Sequence, residues 1–285
     1  TANWTAPSGT GSLTYTLDVS TSNTFPVGAS TTTTSGISGT SYSVTGLAAN
    51  TTYYYRVTAN GTTCNSAVSN IISLTTSATL PWTEGVNIAS NNTMPAGMTE
   101  SGWSGSAVTA YLGTKCLTYV TAPGGTTAGS NMQTHNTYTG AGCIEWYYSP
   151  SVTPWDTIYT PTFSLTSGST YKFDFYYEND NIAGWSVWSC IKPINVAGGV
   201  TTLGVVDAAT TVGSNSAWTH YSVTYVPSTT GQYKFGVYEN NTNPPNYFWM
   251  DDFQVVYVPP CTTPTAASGL SVTPSSSGGS VSWTQ

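Results

Sequence analysis

Strict two-residue alternation is the feature that most constrains this chain. Leu13, Tyr15, Leu17 and Val19 fall on one side of an extended segment, with Thr14, Thr16 and Asp18 on the other. Tyr42 and Val44 repeat the pattern, then Tyr53, Tyr55 and Val57, then a run through Ile71, Ile72 and Leu74. A period of two puts one face on a core and the other in water. Several such segments at short spacing, separated by turn residues, predict a β-sandwich. No stretch carries apolar residues at helical spacing long enough to predict a helix.

Composition narrows the function classes. Charged residues make up only 6% while aromatics reach 13%, which argues against disorder. The formal charge is −7 and Arg56 is the only arginine. Nucleic acid needs clustered Lys and Arg on its phosphates, so that partner class is excluded. No apolar run approaches the ~20 residues of a membrane span. An uncharged, hydroxyl-rich, tyrosine-rich surface predicts a secreted or cell-surface protein. No signal-like apolar segment is present, so an export signal is expected to have been removed or to lie outside this stretch. Five cysteines permit disulfides without requiring them. The N-x-Ser/Thr sequons at Asn3, Asn50, Asn60, Asn91 and Asn240 arise readily by chance in an Asn/Thr-rich chain.

The chain also shows long-range self-similarity. Thr1-Ala2-Asn3-Trp4-Thr5 resembles Ser280-Val281-Ser282-Trp283-Thr284. Gly46-Leu47-Ala48-Ala49-Asn50-Thr51-Thr52-Tyr53-Tyr54-Tyr55-Arg56-Val57 resembles the corner and following strand of fibronectin type III domains. The resemblance makes Tyr53 the corner tyrosine and Trp4 the core tryptophan, with Ala49 in place of the usual proline. It also implies that strand A is missing before Thr1, and that Leu270-Ser271-Val272-Thr273 has its sequence.

Residues 77–260 resemble the jelly-roll modules of secreted bacterial adhesins, the cleaved-adhesin, MAM-like or choice-of-anchor type. The resemblance rests on Leu80-Pro81-Trp82-Thr83-Glu84-Gly85-Val86 with Met94-Pro95-Ala96-Gly97-Met98 and Trp103. It rests further on Tyr159-Thr160-Pro161-Thr162-Phe163-Ser164-Leu165 through Gly168, Tyr171, Phe173 and Phe175. Ala217-Trp218-Thr219 with Tyr233-Lys234-Phe235-Gly236, and Tyr247 through Val255, complete it. The expected architecture is all-β: an incomplete fibronectin type III sandwich over 1–76, a jelly-roll sandwich over 77–260, and over 261–285 strands A and B of a following or partner fibronectin-like module.

Several site expectations follow. Asp251 and Asp252 are adjacent in a predicted strand, so their side chains should point to opposite faces. A lone inward carboxylate is costly unless paired or metal-bound. The jelly-roll resemblance implies a structural Ca²⁺ on Glu84 and Asp252, with Asp251 as a further ligand; hydrogen bonding to backbone is the plainer alternative. Trp155, Tyr176, Trp185 and Trp188 are candidate glycan-stacking residues, although many aromatics must simply fill cores. The fibronectin resemblance implies a Cys64–Cys261 disulfide across a repeat boundary, leaving the pairing of Cys116, Cys143 and Cys190 open. Asp156-Thr157-Ile158 matches a short bacterial O-glycosylation motif, with Thr157 as acceptor. His135 and His220 lack a nucleophile partner at any recognisable spacing. Glu84, Glu100, Glu145, Glu178 and Glu239 form no pattern that defines a glycosidase pair, and no nucleophile elbow, phosphate loop or HExxH helix occurs.

The sequence therefore predicts a non-enzymatic structural or adhesive repeat of a secreted bacterial surface protein or filament. Its units would join head-to-tail with self as partner, Leu270 and Val272 packing into the neighbouring first module. The alternative is a carbohydrate-binding accessory segment of a secreted glycoside hydrolase.

Overall fold

Segments that alternate in sequence become strands, and every described strand pairing is antiparallel; a single bridge, Ala78 to Phe163, is parallel. The computed structural model describes residues 1–8, 12–62, 64–86, 94–101, 116–120, 137–140, 142–147, 156–179, 186–208, 217–239, 247–261 and 268–284. Near the start lie β1 (Ala2–Asn3), β2 (Thr14–Ser20), β3 (Thr31–Ile37), β4 (Ser41–Tyr42), β5 (Thr52–Asn60) and β6 (Ile72–Thr75). They form a sheet in the order β3-β2-β5-β6, faced by the β1–β4 pair.

Tyr15, Leu17, Val19, Ile37, Tyr55 and Ala59 make the core between these sheets, with Trp4, Leu47, Tyr53 and Val57 packed against it. The one arginine, Arg56, pairs with Asp18 at 2.8 Å and lies over the Phe25 ring at 4.2 Å. The alternation of β6 does not translate into burial. Ile72 is 55% exposed and Leu74 54%, because the facing β1–β4 pair is only two residues long on each strand and covers little of the four-stranded sheet.

The next stretch contributes β7 (Trp82–Glu84), β8 (Thr99–Ser101), β9 (Cys116–Val120), β10 (Cys143–Tyr147), β11 (Asp156–Tyr159) and β12 (Phe163–Leu165). It continues with β13 (Thr170–Asn179), β14 (Val187–Pro193), β15 (Thr201–Asp207), β16 (Thr219–Tyr225), β17 (Gly231–Glu239) and β18 (Tyr247–Val258). One sheet runs β16-β13-β18-β10-β9 with β7 also on β18; the other runs β15-β14-β17-β11-β8 with β12 also on β17. We call these the β13 sheet and the β17 sheet.

Their facing sides fuse through phenylalanines. Phe163, Phe173, Phe175, Phe235, Phe248 and Phe253 are fully buried, each worth about 2–3 kcal/mol of burial. Phe173 of one sheet stacks on Phe235 of the other with centroids 5.3 Å apart. This is the jelly-roll-like sandwich class, with helices absent from the described residues. Between the two cores, Ala78 donates its N–H to Thr162 O, and Ser77 meets Ser164 and Gln232 through its hydroxyl. The last described strands, β19 (Ser268–Ser275) and β20 (Gly278–Thr284), form a hairpin of their own.

Candidate functional site

The strands of the β13 sheet must send every second side chain away from the core. On β13 these are Lys172, Asp174 and Tyr176, alternating with core residues Tyr171, Phe173, Phe175 and Tyr177. Cross-strand pairing sets His220 of β16 opposite Tyr176 and Gln254 of β18 opposite Asp174. Together with Glu84, Thr139 and Asp252 these side chains line an open cleft of about 440 Å³.

Charge and aromaticity divide the cleft. Asp174 is 4% exposed, a burial that requires compensation. Lys172 Nζ lies 2.9 Å and His220 Nε2 3.2 Å from its two oxygens. Both contacts have ion-pair distances but depart from hydrogen-bond directions. Beside them Tyr138 stacks on Tyr176 at 3.7 Å, Trp218 leans on Tyr138 at 5.9 Å and His220 on Tyr176 at 4.9 Å. Tyr138 remains 38% exposed. The result is an aromatic wall at the cleft's side, in which Tyr176 lines the cleft itself and Tyr138 and Trp218 continue the stack next to it.

The wall is held by Asp251. Its Oδ2 accepts the N–H groups of Tyr138 at 3.0 Å and Thr139 at 3.2 Å, and its Oδ1 accepts the N–H of Asp252 at 2.8 Å. Burial pushes its carboxyl up to about 7 against the opposing pull of these donors. Asp252 accepts the Thr139 hydroxyl at 2.6 Å. The two aspartates therefore serve the same segment, where simple alternation put them on opposite faces. The cause is a bulge: three β18 steps from Asp251 to Gln254 oppose two β13 steps from Tyr176 to Asp174, and Asp252 takes φ = +49°. A bulge adds one residue and re-aims the side chains around it, and Asp tolerates positive φ better than most residues.

The structure brings Glu84, Asp252 and Tyr176 to the same cleft and turns Asp251 into a backbone clamp. Burial raises the Glu84 carboxyl above the usual range. Among the described residues no three His, Cys, Asp or Glu side chains come together as a metal site. Trp155 and Trp185 lie outside the described residues. Trp188 is on β14, on the outer side of the other sheet, stacked on Tyr238 at 5.2 Å, so it cannot share a site with Tyr176. Thr157 sits inside β11 at 8% exposure, where a transferase would meet it only before folding. Cys143 and Cys190 are buried thiols on different sheets, and Cys64 and Cys261 are exposed. Val272 is 62% exposed; Leu270 lies on β19, its side chain outside the described residues. Sequence reasoning missed Tyr138, Lys172, Asp174, His220 and Gln254. The signal for the β13 trio was available, because Lys172, Asp174 and Tyr176 alternate with the core aromatics.

No protein-family model matches the sequence, and no curated protein matches it. Solved structures do resemble it in fold. The K1 cleaved adhesin domain of Lys-gingipain from Porphyromonas gingivalis W83 is 18% identical over 62% of this chain and 98% of that one, with a TM-score of 0.40. The CBM22-1 xylan-binding domain of Paenibacillus barcinonensis Xyn10C is 12% identical over 62% and 93%, at 0.39. TmCBM61, solved with β-1,4-galactotriose, is 14% identical over 43% and 75%, at 0.31. At identities and scores this low, what those domains bind does not transfer to this chain.

Proposed function

We propose that this chain is a secreted, non-catalytic glycan-binding segment whose site is the cleft on the β13 sheet. The observation that carries the reading is the Tyr138–Tyr176–Trp218 wall beside Lys172, Asp174, His220 and Gln254. A sugar ring offers an apolar face to an aromatic side chain and hydroxyls to neighbouring polar groups. Concave sites with an apolar wall and a few fixed polar groups are where such ligands settle. The open, shallow shape suits a stretch of polysaccharide more than an enclosed monosaccharide. Glu84 and Asp252 supply two carboxylates for a Ca²⁺ ion at the cleft's edge, an oxygen-only set of the kind that ion prefers. In a titration with soluble xylan, β-mannan and β-galactan, at least one should bind the full chain. Tyr138→Ala should weaken that binding about tenfold, equivalent to ~1.4 kcal/mol. Absence of binding to every glycan tested, or an unchanged constant in the variant, overturns the reading.

A second reading, an adhesive repeat of a fibronectin-like module and a jelly-roll module, is favoured by a different observation. Trp4, Leu17, Tyr55, Val57 and Ile72 line a gap of about 380 Å³ beside β1, and the Trp4 indole N–H is buried without a partner. A strand such as β19, with Leu270 and Val272, would fill it, because open edges beside apolar groups accept strands. Sedimentation of wild type and Val272→Asp tests this: self-association lost in the variant supports it, and a monomer at all concentrations rejects it.

A further inference from the structure

The outer side of the β17 sheet, opposite the cleft, carries a second set of groups arranged in rows. Pairing of β14 with β17 places Trp188 against Tyr238, Cys190 against Gly236, and Lys192 against Lys234. The aromatic pair is stacked at 5.2 Å with planes 21° apart, and the Tyr238 hydroxyl is fixed by Thr202 Oγ1 at 2.7 Å. Gly236 leaves room for the Tyr159 ring, which a Cβ there would meet at 2.8 Å. That ring lies under Lys192 Nζ at 4.9 Å.

The lysine pair is the unusual element. Like charges placed directly across an antiparallel pair are destabilising, and Lys234 shows the strain: burial first, then Lys192, pulls its ammonium below the ordinary lysine range. The Lys234 ammonium donates to Thr99 Oγ1 at 2.9 Å. Among the described residues no carboxylate lies in ion-pair distance of either lysine. The chain carries only five Lys and Arg against twelve Asp and Glu. The other described cations, Arg56 and Lys172, each sit on a carboxylate, so two adjacent cations without one stand apart. All four side chains of the outer rows, Trp188, Tyr238, Lys192 and Lys234, are partly exposed.

We infer that this face is a second binding site, for an acidic polysaccharide lying along β14 and β17. One sugar ring stacks on the outer face of the Trp188–Tyr238 pair while Lys192 and Lys234 hold the carboxylate of another. The two rows are four residues apart, about 13 Å along a strand, a separation of a few saccharide units. Lysine ammoniums serve anionic groups as point charges, and the cation pair gains from a bound carboxylate what it lacks within the protein. The face is separate from the cleft, so the chain could bridge two polysaccharide chains.

Affinity electrophoresis of the full chain in gels containing polygalacturonate tests the site. A protein of net charge −7 gains nothing from non-specific attraction to a polyanion, so retardation by the gel requires a local site. Wild type should be retarded, and added salt should weaken the effect. Trp188→Ala and the double variant Lys192→Gln/Lys234→Gln should each lose about tenfold in affinity or more. Lys192→Arg/Lys234→Arg should keep binding, and Tyr138→Ala should be unaffected. No retardation of wild type, or equal retardation of the Gln/Gln variant, overturns the inference. Loss in Tyr138→Ala alone also overturns it, by moving the acidic glycan to the cleft. Binding of neutral glycans reads the cleft separately, so either site can fail without the other.

Discussion

Single tyrosines close a corner in each sandwich. The Tyr53 hydroxyl accepts the Ala48 N–H at 3.0 Å, and the Tyr171 hydroxyl accepts the Thr166 N–H at 2.9 Å, five residues back in both cases. Leu47 and Leu165 stand six residues before them, so the same local device recurs in both cores. Tyr53→Phe should cost about 1 kcal/mol, the usual worth of such a bond, and Tyr54→Phe, on the other side of the strand, much less. Denaturant melts of the two variants check this; equal losses would place the corner elsewhere. Glycine is needed at 236 for a different reason. An added Cβ would meet the Tyr159 ring at 2.8 Å and Cys190 Sγ at 3.0 Å, so Gly236→Ala should destabilise by about 1–3 kcal/mol through overpacking. Beneath it, burial pushes the Cys190 thiol up to about 12. A thiol this poorly ionised is a weak nucleophile. Iodoacetamide at pH 8 should leave Cys190 unmodified in the folded chain and alkylate it in guanidinium, as peptide mass spectrometry would show.

At the scale of elements, the bulge on β18 links fold to site. It converts a strand that should alternate into one that presents Asp251 and Asp252 to the segment carrying Tyr138. Removing the clamp leaves three N–H groups without their acceptor, two of them in the Tyr138 segment. Asp251→Ala should therefore speed amide exchange at Tyr138 and Thr139 by an order of magnitude, about 1.4 kcal/mol of lost protection. Glycan affinity should fall with it, because the aromatic wall is no longer positioned. Unchanged exchange at both amides would show that the segment is held by other contacts. Strand β6 makes the opposite point. Its apolar residues satisfy the pattern of a core strand, yet burial depends on what lies across the sheet.

At the scale of the molecule, the two hydrophobic cores share no residue among those described. They meet through polar contacts: Asn50 N–H to Ser77 O at 3.2 Å, and Asn50 Nδ2 to Ala96 O at 3.2 Å. Two cores joined this thinly should unfold in two calorimetric transitions. A glycan in the cleft stabilises only the fold that binds it, so it should raise the transition of the second sandwich and leave the first in place. A single transition that shifts as a whole would show that the polar junction couples the cores.

What the sequence determined by itself was the all-β class, since two-residue alternation over Tyr15, Leu17 and Val19 leaves a chain no other way to bury one face. The corner at Tyr53 was legible through the fibronectin type III resemblance, and the bond that closes it spans only five residues. The cleft was not. Asp174, His220 and Gln254 come from distant parts of the chain and strand pairing sets them side by side, while Tyr138 reaches them from a turn held by Asp251. Only the pairing of Glu84 with Asp252 was legible, and that through the jelly-roll resemblance. Tyr176 and Trp188 looked like members of one aromatic set, yet they stand on opposite faces because β13 and β14 belong to different sheets. Which residues share a face within a strand follows from a period of two. Which strands share a sheet, and where a bulge breaks the period, depends on long-range hydrogen bonding and packing that no local pattern encodes.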